Sequence, residues 1–185
     1  MLVGLLALAT GCLELPRPKE AGLLEPHDLR APQLVVQSNC TPSGVELCFD
    51  ALDDNCNGVI DEGCGLQTGI LQFTIAWSER ADVDLIVTGP TGLQAVAGGA
   101  NESGLIKDRD CKGTDDCHGQ NVENVFLAEG WPQRGRYEVI VSLVNARDVT
   151  LPMHVRLSAR VGQRVLTSVV ELAVMRDSKT FEFSL

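Results

Sequence analysis

The apolar positions of this chain fall into two regimes. From Gly69 onward apolar and polar residues alternate, so that Leu71, Phe73, Ile75 and Trp77 share one face of a strand and Gln72, Thr74 and Ala76 the other. Val83, Leu85 and Val87 repeat this period ahead of the turn Gly89-Pro90-Thr91-Gly92. So do Tyr137, Val139, Val141 and Leu143 after Gly135, and then Met153, Val155, Leu157 and Ala159. Further strands are predicted over 164–174 and 179–184, where Phe181 and Phe183 flank Glu182. No stretch carries a capped helical period. The expected fold is therefore all-β, an antiparallel, jelly-roll-like β-sandwich of about seven or eight strands over residues 69–185. Residues 97–121 break the alternation and are expected to form one long irregular loop, a kind of segment that in compact domains is often functional.

Before Gly69 the alternation is absent. Residues 12–39 include Pro16, Pro18, Pro26 and Pro32 among mixed charges with no sustained period, the pattern of a semi-extended tether. Residues 1–11 are uncharged and mostly apolar, too short for a bilayer that needs about 20 residues, and read as an export signal. Leu8-Ala9-Thr10-Gly11-Cys12 resembles the lipobox of bacterial lipoproteins. That resemblance implies a diacylated Cys12 as mature N-terminus and attachment to the cell envelope, on the periplasmic or surface face of the outer membrane. Each buried CH₂ of such a chain contributes about 0.8 kcal/mol to membrane attachment.

Composition narrows the chemistry. An apolar share of 44% allows a real core, but aromatics make up only 4%, so Val, Leu, Ile and Ala must fill it. A net charge of −10 with no Lys/Arg cluster argues against nucleic acid as a partner and favours divalent cations. Of seven cysteines, all but Cys12 form an even set suited to disulfides in an oxidising compartment: Cys40, Cys48, Cys56, Cys64, Cys111 and Cys117. Cys111 and Cys117 are expected to pair. The other four recur every eight residues and could join in three ways. Zinc or iron–sulfur ligation fits poorly, since neither a CxxC pair nor a nearby His is present.

The four evenly spaced cysteines frame residues 40–64, too short a module to bury its own core. Between Asp50 and Cys64 stand five acids, two Asn and Gly58. Counted from Asp53, side-chain oxygens of Asp53, Asn55 and Asn57 fall at positions 1, 3 and 5 of a calcium loop, with Gly58 at the sharp turn and the Val59 carbonyl at 7. Ile60 is the apolar anchor and Asp61 a ligand, direct or through water. Cys64 stands where an EF-hand has its closing Glu, so Glu62 or Asp50 must supply that oxygen, with affinity in the range of about 10⁻⁴ to 10⁻³ M typical of extracellular modules.

The run from Cys48 to Cys64 resembles the MopE-type metal-binding motif of bacterial surface proteins. That family carries a copper association, and copper is the alternative ion; the loop's oxygen donors favour calcium. The segment Trp77-Ser-Glu-Arg-Ala-Asp82-Val-Asp84-Leu85-Ile-Val87-Thr-Gly-Pro90-Thr-Gly92 is similar to the signature of YfaP-like β-sandwich domains, related in shape to pre-peptidase C-terminal domains. Leu105-Ile-Lys-Asp108, Val122-Glu123-Asn124 and Gly135-Arg-Tyr137 follow in that family's order, and Ile86 stands where it has a His. The resemblance implies an accessory module of exported proteins without catalytic machinery.

Asp82 and Asp84 lie two apart on one strand and so point the same way, near enough to share an ion. A second metal could be completed by Asn101, Asp108, Asp110 or Glu123; hydrogen bonds to loop backbone are the alternative. Asp110, Asp115 and Asp116 around the small cysteine loop read as a solvated rim. No hydrolase motif occurs, and His27, His118 and His154 are scattered, so the chain is not expected to be an enzyme. The overall expectation is a non-catalytic exported lipoprotein, held on the membrane by its lipid, with a calcium-binding loop and a β-sandwich for an unidentified protein or glycan. The alternatives are a copper-handling surface protein and, further off, a carbohydrate-binding module using Trp131 or a small hydrolase.

Overall fold

The computed structural model describes residues 31–185. Cys12, the signal segment and residues 13–30 of the expected tether lie outside the described residues. The chain forms β1 (Val35–Val36), β2 (Leu71–Trp77), β3 (Asp82–Thr88), β4 (Val96–Ala97), β5 (Leu105–Arg109), β6 (Val122–Leu127), β7 (Arg136–Asn145), β8 (Met153–Val161), β9 (Arg164–Leu172) and β10 (Ser178–Ser184). Seven strands make one sheet in the order β1-β9-β8-β2-β6-β5-β4, and three make the other in the order β10-β7-β3. Every pairing is antiparallel except the two-residue contact of β4 with β5. Among the described residues no helix is long and apolar enough to cross a membrane.

The expected β-sandwich is present, and the alternation that predicted it sorts the side chains. Leu71, Phe73, Ile75 and Trp77 of β2 meet Val83, Leu85 and Val87 of β3 and Val139, Val141 and Leu143 of β7 in one core. Phe73 packs edge-on against Phe183 at 5.1 Å between ring centroids. Trp77 is buried there, its indole N–H donating to the Ala81 carbonyl.

Three expectations are corrected. Residues 97–121 are not one irregular loop, because β5 lies inside them and pairs with β6. The sequence hid β6 because Glu123-Asn124 and then Val125-Phe126-Leu127 stand in runs and not in alternation, although all six of its residues are buried. The tether ends earlier than residue 39: Leu34 enters the core, and Val35 and Val36 pair with β9.

The third correction concerns residues 40–64, which are not a free-standing module. Ala51 and Leu66 pack with Phe49 onto Ala76 and Val122, on the sheet face opposite the core. Beneath them Gln72, Thr74 and Asn124 are fully buried. They hydrogen-bond to one another, with Gln72 Oε1 left without a partner: Gln72 Nε2 donates to Asn124 Oδ1 at 3.0 Å and to the Ile60 carbonyl at 3.3 Å, and Thr74 Oγ1 donates to Asn124 Oδ1 at 2.8 Å. Ser158 Oγ donates to the Ala51 carbonyl, and Arg156 Nη1 to that of Asp50. The cysteine-framed segment is thus a third layer, and its underside sets the polar character of the outer face of β2.

Candidate metal centre

Two disulfides, Cys40–Cys56 and Cys48–Cys64, interlace across the acidic loop, each closing a separation of 16 residues; Cys111–Cys117 closes the small loop as expected. Of the three pairings open to the first four cysteines, the fold uses the crossed one. The bridges hold 40–64 as two overlapping rings, and the acids between them are ordered by backbone amides.

Asp53 is almost fully buried and accepts from Asn57 N–H at 3.0 Å and Gly58 N–H at 2.8 Å, wrapping the chain around position 1 of the loop. Asn55 Oδ1 accepts from Asn57 N–H, and Asn57 Oδ1 from Val59 N–H. Gly58 turns the chain with φ of 81°, and a Cβ there would stand 2.8 Å from the Gln163 carbonyl, so both conformation and space require glycine. The amides of Asn55 and Asn57 both donate to Glu62 Oε1, while Glu62 Oε2 is buried with no hydrogen-bond partner.

Of the two acids expected to close the cage, Glu62 therefore turns toward Asn55 and Asn57. Asp50 turns away, its Oδ2 facing Arg156 Nη1 at 3.5 Å and its Oδ1 accepting from Leu52 N–H. Asp61 is corrected from ligand to staple. It is wholly buried, and its two oxygens accept from the N–H groups of Phe49, Asp50 and Ala51 at 2.6, 3.2 and 3.1 Å. Burial raises its pKa to about 6 against the pull of those three bonds, so at neutral pH it serves as a carboxylate. Glu46, seven residues before Asp53 and outside any motif window, accepts from the N–H groups of Asp54 and Asp61. Burial and then the nearby Glu62 charge push its pKa up to about 7.

The residues fit a hard cation. Asp53, Asn55, Asn57 and Glu62 carry the side-chain oxygens of one turn, with Asn55 and Asn57 showing their N–H groups and not their oxygens to Glu62. The partnerless Glu62 oxygen is the kind of group that a buried site leaves for an ion. With all four cysteines in bridges, the loop offers no thiolate, imidazole or thioether to copper.

The second group of candidates separates across the sheet. Glu123 points into the sandwich, wholly buried, where its Oε2 accepts from Leu85 N–H at 2.6 Å and Lys107 Nζ at 2.8 Å. It thereby stitches β6 to β3, an outer strand of the smaller sheet. Asp84 and Asp110 lie with it, one oxygen from each of the three within 4.8 Å of the others. Asp110 is exposed, as expected of a rim residue, and pairs with Lys107 at 2.7 Å, so it also belongs to this cluster. Asp108 is one residue from Lys107 and so takes the opposite face, where it accepts from Asn124 Nδ2 and Gln67 N–H. Asn101 caps its own turn by accepting from Ser103 N–H. Asp82 stands at the rim beyond a register shift between Asp82 and Val83, its pKa raised by burial and by Asp84.

In this cluster burial pushes the Glu123 pKa up to about 8, against the Lys107 ammonium that favours its charged form. Burial alone would lower the Lys107 pKa, but Glu123 and Asp110 outweigh it and hold the ammonium above its usual value. Burial opposes ionisation of Asp110 too, and its hydrogen bonds to Lys107 and Glu123 prevail and hold its pKa low.

Beside the acidic loop runs a groove of about 840 Å³, bordered by Asp53, the Cys40–Cys56 bridge, Arg160, Gln163 and the half-exposed Trp131. Comparison with protein-family models, curated proteins and solved structures finds no significant match to this chain.

Proposed function

We propose that this is a non-catalytic protein of the bacterial cell envelope, anchored through Cys12, in which a calcium-loaded loop braces one face of a β-sandwich used for binding. Three disulfides place its folding outside the reducing cytoplasm. The observation carrying the calcium reading is the Glu62 oxygen that is buried and partnerless in a loop rich in oxygen side chains, beside an Asp53 carboxylate already wrapped by the loop's own amides. Ligation by Asn55 and Asn57 would need their amide groups to turn, since their N–H groups now face Glu62. Calcium there would tie the crossed-disulfide layer together where it lies on Gln72 and Asn124.

The groove beside the loop supports a ligand-binding role for the same face. A half-exposed indole with an arginine and an amide at hand suits a glycan, which stacks on an aromatic ring and hydrogen-bonds around its rim. Thermal melting of the oxidised full chain tests the central claim. Calcium at ten to a hundred times its dissociation constant should stabilise the protein by about 1.4 to 2.7 kcal/mol over chelator. Asp53→Asn should remove the loop's share of that gain, and copper should not replace calcium. A melting temperature indifferent to calcium, or a preference for copper, overturns the reading.

A further inference from the structure

A second cluster of carboxylates lies some distance along the sequence from the acidic loop, at the edge of the sandwich core. Asp84 comes from β3, Glu123 from β6 and Asp110 from the end of β5, so three separate strands of two sheets deliver one carboxylate each to a common point. The delivery depends on local irregularity. The ladder of β3 shifts register between Asp82 and Val83, and that of β5 between Lys107 and Arg109. The segment after Asp110 is tied by Cys111–Cys117, and Gly113 fits so tightly against the Ala81 carbonyl that a Cβ would approach it to 2.3 Å.

Acids alone do not make a site, since Lys107 already answers two of them. One unpaired atom points further. Glu123 has no solvent exposure, yet its Oε1 has no hydrogen-bond donor, while its Oε2 holds both Leu85 N–H and Lys107. The same carboxyl group lies close enough to Asp110 to share a proton with it. Two carboxylates at that range need a proton or a cation between them. Three carboxyl groups share one lysine in direct contact, Lys107, with Lys112 also acting on Asp110, so the proton that burial favours on Glu123 takes the place a cation could hold.

We propose that Asp84, Asp110 and Glu123 bind a divalent, oxygen-seeking cation, calcium by their donor set, and that Lys107 is the resident counter-ion with which it competes. The three carboxylates bring one oxygen each to the common point, and water on the exposed Asp110 side would complete calcium's six to eight ligands. The ion would join the two sheets at a strand edge that Glu123 otherwise closes alone.

Calorimetric titration of CaCl₂ into the oxidised full chain tests this independently of the loop. In the Asp53→Asn background, which removes the loop's first ligand, a calcium-binding event should persist, and adding Asp84→Asn should abolish it. Asp84 is on an outer strand and partly exposed, so this variant is expected to fold where Glu123→Gln could fail. Lys107→Met in the same background should tighten calcium at least tenfold and should melt lower in chelator, with calcium restoring the loss. Persistence of the event in Asp84→Asn, or a destabilised Lys107→Met that ignores calcium, overturns the proposal and leaves Lys107 with a shared proton as the cluster's whole charge balance. Absence of any event in the Asp53→Asn background overturns it likewise. Failure of the loop reading looks different, since Asp53→Asn would then bind calcium as the unaltered chain does.

Discussion

The acidic loop and the Asp84–Asp110–Glu123 cluster solve the same problem in different ways. In the loop, carboxylates are neutralised by backbone amides of the same disulfide-framed segment: Asp53 by Asn57 and Gly58 four and five residues on, Asp61 by Phe49, Asp50 and Ala51 ten to twelve residues back. In the cluster, neutralisation comes from the side chain of Lys107 and one N–H of a different sheet. Each leaves one buried carboxylate oxygen without a partner, Glu62 Oε2 in the loop and Glu123 Oε1 in the cluster. Local amides organise charge through chain geometry that short-range sequence can encode. A lysine delivered from another strand does so only once the sheets have formed.

The largest expected effect strikes the local arrangement. Asp61→Ala strands three amides beneath the module and should cost about 3 to 4 kcal/mol in urea unfolding, allowing for some rehydration. A change below about 1 kcal/mol would mean that the bridges alone hold the layer. Next, replacing Cys40 and Cys56 by Ser should cost about 3 kcal/mol, the loop-closure value for a separation of 16 residues, and should weaken calcium binding by the loop while leaving the sandwich cluster intact.

The pH dependence distinguishes the two regions in chelator. A carboxyl whose folded pKa lies above its unfolded value binds more protons in the fold. For Glu123, that stabilisation is complete below about 4.5 and is lost as the pH rises through about 8. Glu46 acts with the same sign, its share lost by about 7. Lys107, raised from 10.5, keeps its contribution throughout this window. The ion-free chain should therefore unfold more readily at pH 8 than at pH 5, with Glu46→Gln removing the earlier part of the slope and Glu123→Gln the part that extends to 8. Equal stability at both pH values would show that neither acid is held as the geometry implies.

Smaller effects complete the series. Gly58→Ala should cost about 1 to 2 kcal/mol, because it meets both a positive φ and the Gln163 carbonyl. Arg80→Ala, which removes a fully surface pair with Asp115, should change stability by less than about 0.5 kcal/mol. A larger loss there would indicate that the small disulfide loop is anchored through its rim.

Much of the fold was legible. Strands with one wet face, such as β3 and β7, advertise themselves by alternation, and the burial of their residues follows it. β6 was not legible, because its sequence Val-Glu-Asn-Val-Phe-Leu places two polar and then three apolar residues in a row and so shows no alternation; β5 was missed within the irregular stretch before it. The positions Asp53, Asn55, Asn57 and Gly58 were legible as a loop for the same reason that they hydrogen-bond locally: their spacing is their geometry. Asp61 was placed in that register as a ligand, but its oxygens are taken by amides ten to twelve residues back, which no spacing rule covers.

The sequence by itself determined a β-rich chain with a mainly aliphatic core, cysteines suited to bridging and an oxygen-rich turn near residue 55, because each depends on composition, on periods of two or on neighbours within a few positions. Only the tertiary structure decided that the cysteines cross, that the acidic segment lies on Gln72 and Asn124 as a third layer, and that Asp110 and Lys107 join Asp84 and Glu123 while Asp108 does not. The physical reason is the pleat. One residue of offset in a strand sends a carboxylate to the other side of a sheet, and sequence order cannot say which side faces a charge brought from elsewhere.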